Sequence, residues 1–321
     1  MAVYTDVSDA ELRTFLEAYE LGSVLAFKGI AEGVENSNFF LKTERGSYIL
    51  TLYEKRVKEE DLPFFLGLLA HLSAKGVACP LPVRGHDGRT WRTLAGRPAA
   101  VMTFLTGLSP KRPDAQQCGE VGTALARLHL AGADYVFARE NALSVGGWKA
   151  LVKACEANAN SVQMGLATLI ATELRWLEQH WPAGLPSGVI HADLFPDNVF
   201  FTEGKLTGLI DFYFACNDAF AYDIAVCLNA WCFEHDGAFN ITKGRALLSA
   251  YRSVRPLTGA ELAALPVLAR GAAFRFLLTR LYDWINRDPS ALVRPKDPLE
   301  YLTKLRFHQS AAGPQSYGWP E

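Results

Sequence analysis

Four polar residues in one short stretch carry the clearest chemistry in this chain. His191-Ala-Asp193 leads to Asn198 across a four-residue gap, and Asp211-Phe212 follows further on. A carboxylate at Asp193 suits the role of accepting the proton of an attacking hydroxyl. Amide and carboxylate oxygens at Asn198 and Asp211 suit a hard cation such as Mg²⁺, which takes oxygen ligands and keeps waters and substrate phosphates. This order of parts, an Asp for the hydroxyl proton, an Asn for one metal contact and a later Asp-Phe for another, is that of phosphoryl transfer. Taken singly, Asp193 and Asn198 are ordinary turn residues and Asp211 a strand end. The constellation is the signal.

Two short strands are expected to position it, Val199–Phe201 and Leu206–Ile210, joined by Gly204-Lys205 as a two-residue type II′ turn. In that register opposite residues sum to 409, which sets Asn198 directly across from Asp211, with Cβ atoms about 5 Å apart. Asp193 sits on the loop entering the hairpin, so the three groups converge at one mouth. Upstream, Ser8-Asp-Ala-Glu11 reads as a capping box ahead of a helix carrying Leu12, Phe15, Leu16 and Tyr19. Extended runs follow at about 23–30, 38–43 and 47–53, then a helix over 61–75 that ends at Gly76. Strands at 90–95 and 98–105 flank Gly96-Arg97. Beyond Thr106-Gly107 the pattern becomes helical, over 114–131, 147–180, 219–235, 241–254, 258–287 and 297–311, with a β-rich island at 188–212. The expected architecture is α+β, a small antiparallel β lobe over residues 1–106 followed by a large helical lobe over 107–321.

Composition narrows the function classes. The chain has 321 residues, half of them apolar and 21% charged, with a net charge of −2. That excludes a disordered chain and offers no basic field for nucleic acid or an anionic membrane. The six cysteines (79, 118, 155, 216, 227 and 232) form no C-x-x-C pair, so a reducing cytoplasm is expected rather than a zinc cage or disulfide framework. Cys232 and His235 lie three apart without further ligands and carry no metal reading. The acidic start, Met1–Glu11, reads as no signal peptide, and by pattern no apolar run is expected to approach the roughly 20 residues of a bilayer span.

His191-Ala-Asp-Leu-Phe-Pro-Asp-Asn198, Gly208-Leu-Ile-Asp-Phe212 and Tyr222-Asp-Ile-Ala225 resemble the aminoglycoside phosphotransferase and choline kinase superfamily of small-molecule kinases, which have a protein-kinase-like bilobal fold. Within it, Glu35–Phe40, Tyr48–Arg56 and Arg275–Trp284 resemble bacterial homoserine kinases. The resemblance covers about residues 23–307. It implies ATP and Mg²⁺ as cofactors, L-homoserine as acceptor and a place in threonine synthesis. Choline, a methylthiosugar or an aminoglycoside stays open as acceptor, and so does a non-catalytic nucleotide-binding regulator.

The resemblance also implies site residues. A loop over the ATP phosphates falls at 32–38, where Gly33 is the one glycine and Ser37 and Asn38 are the donors. The third-strand cation of the family falls at Thr51, a departure, with Lys55 or Arg56 as substitutes from the strand end. Met102–Gly107 stands at the interlobe hinge, with adenine bonding to the backbone of Thr103 and Leu105. Asp193 is the catalytic residue, His191 and Asp223 brace its loop, and Asn198 and Asp211 bind metal. Phe195, Tyr213, Trp231, Arg275 and Tyr282 are expected to line the acceptor pocket. Arg275 or Arg280 would take a carboxylate, and Tyr213, Trp231 and Trp284 are the aromatics of a choline cage.

Overall fold

Ser8 begins the first helix as a full capping box: its hydroxyl accepts from the Glu11 amide, and the Glu11 carboxylate accepts from the Ser8 amide. That helix, α1 (Asp9–Leu16), buries Leu12, Phe15 and Leu16. The computed structural model describes residues 4–30, 36–54, 57–287 and 295–320. It divides into two compact units, Met1–Gly107 with Thr207–Tyr213, and Leu108–Leu206 with Phe214–Glu321. The short piece 207–213 thus leaves its sequence neighbours, which a single boundary near residue 107 does not provide for.

In the first unit β1 (Val24–Gly29), β2 (Ser37–Thr43), β3 (Gly46–Leu52), β4 (Arg92–Leu94) and β5 (Arg97–Thr103) form an antiparallel sheet in the order β1-β2-β3-β5-β4. Alternation puts Phe39, Leu41, Leu50, Leu52, Ala99 and Val101 on one face, packed in one cluster with the α1 side chains. Helix α2 (Leu62–Ala74) stops where Gly76 takes φ +83°.

The second unit contains α3 (Ala115–Ala131), α4 (Val145–Val162), α5 (Leu166–His180), β6 (Ser187–Ile190), β7 (Val199–Thr202), the start of β8 (Lys205–Leu209), β9 (Cys216–Ala219), α6 (Phe220–Trp231), α7 (Ile241–Val254), α8 (Gly259–Ile285) and α9 (Leu299–Ser310). Helix α3 crosses α7 at Gly122, where an added Cβ would lie 2.2 Å from the Leu247 carbonyl.

Five expectations need correction. The hairpin turn is Glu203-Gly204, with φ +50° and +76°, a type I′ turn rather than Gly204-Lys205 as type II′. Thr202 and Lys205 flank it, so opposite residues sum to 407 and not 409. The same shift makes Ala95-Gly96, with φ +49° and +73°, the turn between β4 and β5. The expected helix over 147–180 is two helices, because Gln163 is extended and Gly165 takes φ +81°. Strand β9, which pairs antiparallel with β6, escapes sequence reading because Cys-Asn-Asp-Ala has low β-propensity. Finally, α8 is 27 residues long and apolar enough by composition to cross a membrane, yet 67% of its most apolar window is buried within the fold. Arg270, near its middle, is ion-paired with Glu173.

His308 on α9 is fully enclosed, between the Tyr317 hydroxyl at 3.0 Å and the Asn229 Oδ1 at 3.0 Å. Burial, and then the Lys304 charge, push its imidazole down to about 3. The folded value lies below the unfolded value of about 6.5, so the unfolded chain binds the extra proton between those limits. Stability is therefore complete above about pH 6.5 and is lost as pH falls toward 3. Melting temperature should fall on acidification from pH 7.5 to 5.0, and His308→Gln should flatten that slope. An unchanged slope in the variant would place the proton uptake elsewhere.

Candidate active site

Asp193 sits on the loop between β6 and β7, and that loop is held by backbone contacts from two helices. Asp223, in the first turn of α6 and fully buried, accepts from the His191 amide at 2.7 Å and the Ala192 amide at 2.8 Å. A carboxylate with two amide donors is a strong, charge-assisted clamp. Burial by itself would raise Asp223, but the hydrogen bonds from the His129 side chain and the His191 amide hold it below the usual carboxylate range. His129 is lowered by burial despite Asp223, so the 3.1 Å contact between them is a hydrogen bond from a neutral imidazole rather than an ion pair. Behind it runs a relay: Arg255 donates to the Tyr251 hydroxyl at 3.2 Å, which donates to His129 Nδ1 at 2.7 Å.

Ala192 takes φ +63°, a left-handed conformation that costs a non-glycine residue about 1–2 kcal/mol. Its two backbone polar groups are both taken, the amide by Asp223 and the carbonyl by Arg275 Nη1. The turn is thereby over-determined, as strained backbone at functional sites requires. His191 is buried and its Nδ1 accepts from the Asp193 amide at 3.3 Å. Asn198 ends the short 3-10 turn Pro196–Asn198, and its Nδ2 donates to the Asp193 carbonyl at 2.8 Å. That bond leaves Asn198 Oδ1 as the oxygen available to a cation. Trp231 closes the loop from behind, its indole donating to the Leu194 carbonyl at 2.7 Å.

In the first unit, Asp211 also takes a left-handed conformation, φ +65°, at the end of β8. Thr51, on β3, is buried and donates to Asn38 Oδ1 at 2.8 Å across the β2–β3 register. Tyr213 packs edge-on to Tyr53 at 5.5 Å and Phe65 at 5.8 Å. Burial first, then Tyr53 and Asp211, push its hydroxyl well above 10, with Thr51 opposing. Ser37 is buried, accepting from the Tyr4 and Thr5 amides and donating to Glu54 at 2.7 Å. Thr103 spends its amide on the Leu81 carbonyl and its hydroxyl on the Leu81 amide, leaving its own carbonyl. Leu105, half-buried, covers Gly208, where an added Cβ would lie 2.7 Å from its Cδ1. Gly33, Lys55 and Arg56 lie outside the described residues.

Three expected acceptor residues take other work. Arg275 is buried and bonded to the loop, Trp231 is fully enclosed, and Tyr213 packs inside the first unit. Phe195 stacks edge-on with Phe276 at 4.9 Å, and Tyr282 stays 40% exposed on α8. Arg280 is bound to Glu300 at 2.6 Å and the Asp297 carbonyl at 3.2 Å. Among the described residues no group of three His, Cys, Asp or Glu side chains assembles a metal cage. The available donors are amide and carboxylate oxygens, which fit a hard cation that keeps its waters. Sequence reasoning missed His129, Tyr251 and Arg255, since nothing local marks residues that meet only in the folded unit.

Residues 26–257 match the model of the phosphotransferase enzyme family, and the chain belongs to that family. It is an enzyme that moves a phosphoryl group to an alcohol, which sets aside the non-catalytic alternative. Among relatives, the homoserine kinase of Xanthobacter autotrophicus is 64% identical over 318 residues, covering 99% of each chain. That of Rhodospirillum rubrum is 63% identical over the same span, again with 99% of each chain. Amicoumacin kinase, solved with AMP-PNP and Ca²⁺, matches the fold with a TM-score of 0.70 at 17% identity, covering 94% of this chain and 92% of its own. A spectinomycin phosphotransferase gives 0.67 at 13% identity over 94% of each. The antiparallel-sheet unit and the helical unit are those of the aminoglycoside phosphotransferase and protein-kinase-like fold.

Proposed function

We propose that this chain transfers the γ-phosphoryl group of ATP to the side-chain hydroxyl of L-homoserine, a step of threonine synthesis. The observation that carries the reaction type is the clamped loop at 191–198, with Asp193 partly open on a backbone fixed by Asp223 and with Asn198 oriented by its own amide. Support for the acceptor comes from relatives above 60% identity over nearly the whole chain, all bearing that name. The first unit takes the nucleotide through Asn38, the Thr103 carbonyl and Leu105, while Ser37 ties β2 to the N-terminal segment. The second unit takes the acceptor. Asp193 orients the hydroxyl and receives its proton as the oxygen attacks. Asn198 in the second unit and Asp211 in the first are the oxygen donors that would hold magnesium, which would neutralise charge on the phosphates. Six buried, unpaired thiols accord with a cytoplasmic setting.

ADP release measured across homoserine, choline, methylthioribose and kanamycin tests the reading. The highest kcat/KM is expected for homoserine. Faster turnover of any other acceptor would overturn the assignment.

A further inference from the structure

Arg275 is an expensive residue for a core helix. It is 1% exposed, and of its guanidinium nitrogens Nη1 donates to the Ala192 carbonyl while Nη2 lies 3.7 Å from Asp193 Oδ1, beyond an ordinary hydrogen bond. Its Nε is buried with no hydrogen-bond partner among the described residues. Two rings wrap it, Phe276 at 4.5 Å and Phe214 at 5.5 Å from the guanidinium carbon. A buried cation with an incomplete set of partners costs folding free energy, and apolar replacement of such charges is often neutral or stabilising. Packing alone does not account for its presence at this position.

We infer that Arg275 is a positioning residue for phosphoryl transfer, its charge holding the Asp193 carboxylate in the orientation that meets the acceptor hydroxyl. Two contacts of one rigid fork do this together. The bond to the Ala192 carbonyl sets the left-handed turn that aims Asp193, and the cation attracts the carboxylate one residue on. Phe214, in the same unit, packs its ring against that guanidinium as well. The acceptor carboxylate is correspondingly bound by other groups, since this guanidinium is enclosed. The inference rests on the reading of Asp193 as the proton acceptor.

The test separates charge from scaffold with three variants of the full chain: Arg275→Gln keeps a donor for the Ala192 carbonyl, Arg275→Lys keeps the charge, and Arg275→Met keeps the bulk. Misplacement of a reacting group by about 1 Å costs on the order of 100-fold, so kcat in the Gln and Met variants should fall about 10- to 100-fold. Binding of AMP-PNP should stay within about twofold, and Arg275→Lys should recover part of kcat. Because the effect runs through Asp193, Asp193→Asn/Arg275→Gln should be no slower than Asp193→Asn alone, a non-additivity that a scaffold defect would not produce. A Gln variant that keeps more than a third of wild-type kcat, while Asp193→Asn is inactive, overturns the inference and leaves the reading of Asp193 intact. An active Asp193→Asn overturns that reading instead. If the Met variant does not fold, Gln against Lys still decides: equal kcat losses that follow melting temperature would make Arg275 a scaffold residue only.

Discussion

Asp193→Asn should lower kcat by two to four decades, about 3–5 kcal/mol of barrier at 1.36 kcal/mol per decade. Phosphoryl transfer passes through a loose transition state, so the protein contributes mainly positioning and charge neutralisation, with proton acceptance as the step left to a side chain. The amide keeps the shape of Asp193 and one oxygen but takes no proton. Nucleotide affinity, read by calorimetry with AMP-PNP, should change little. Stability is another matter. With Arg275 buried 3.7 Å away, neutralising Asp193 leaves a cation short of its counter-charge, and a loss of about 1–3 kcal/mol is expected. Read from sequence alone, Asp193 looks like a loop carboxylate whose removal the fold would ignore. A variant retaining more than a tenth of wild-type kcat under conditions where chemistry limits would place the base elsewhere.

Asp211→Asn should be comparably severe for a different reason. A neutral amide can still offer an oxygen to a cation, but it removes a full negative charge from the position proposed for the metal. Metal stabilisation of the transferring phosphoryl group is worth several kcal/mol, so kcat should fall by about two decades or more. Half-saturation by Mg²⁺ should move to higher concentration, and excess metal should restore part of the rate. Side-chain amides are well tolerated in the left-handed region, so the backbone at φ +65° should persist and the melting temperature should hold. A wild-type Mg²⁺ titration in this variant would remove Asp211 from the metal site.

Much of the molecule is legible in one dimension because the signals are local. The capping box at Ser8 and Glu11, the glycine stop of α2 and the extended runs that become β2 and β3 are decided by neighbours a few residues apart, and the structure reproduces each. The same holds for Asp193 and Asn198, whose five-residue separation lets one short turn link the amide of the second to the carbonyl of the first. What sequence could not decide depends on partners distant along the chain or on one-residue choices of register. Glu203-Gly204 and Ala95-Gly96 place glycine second in their turns, because type I′ geometry follows the strand twist and tolerates a non-glycine residue at the first position. Tertiary packing alone assigned Arg275, 83 positions from the Ala192 carbonyl it holds, and His129, 94 positions from Asp223. An arginine on an apolar helix reads the same in sequence whether it reaches water, a substrate or a loop. Only the fold, by burying that guanidinium against Phe276 and Ala192, made it part of the machinery around Asp193.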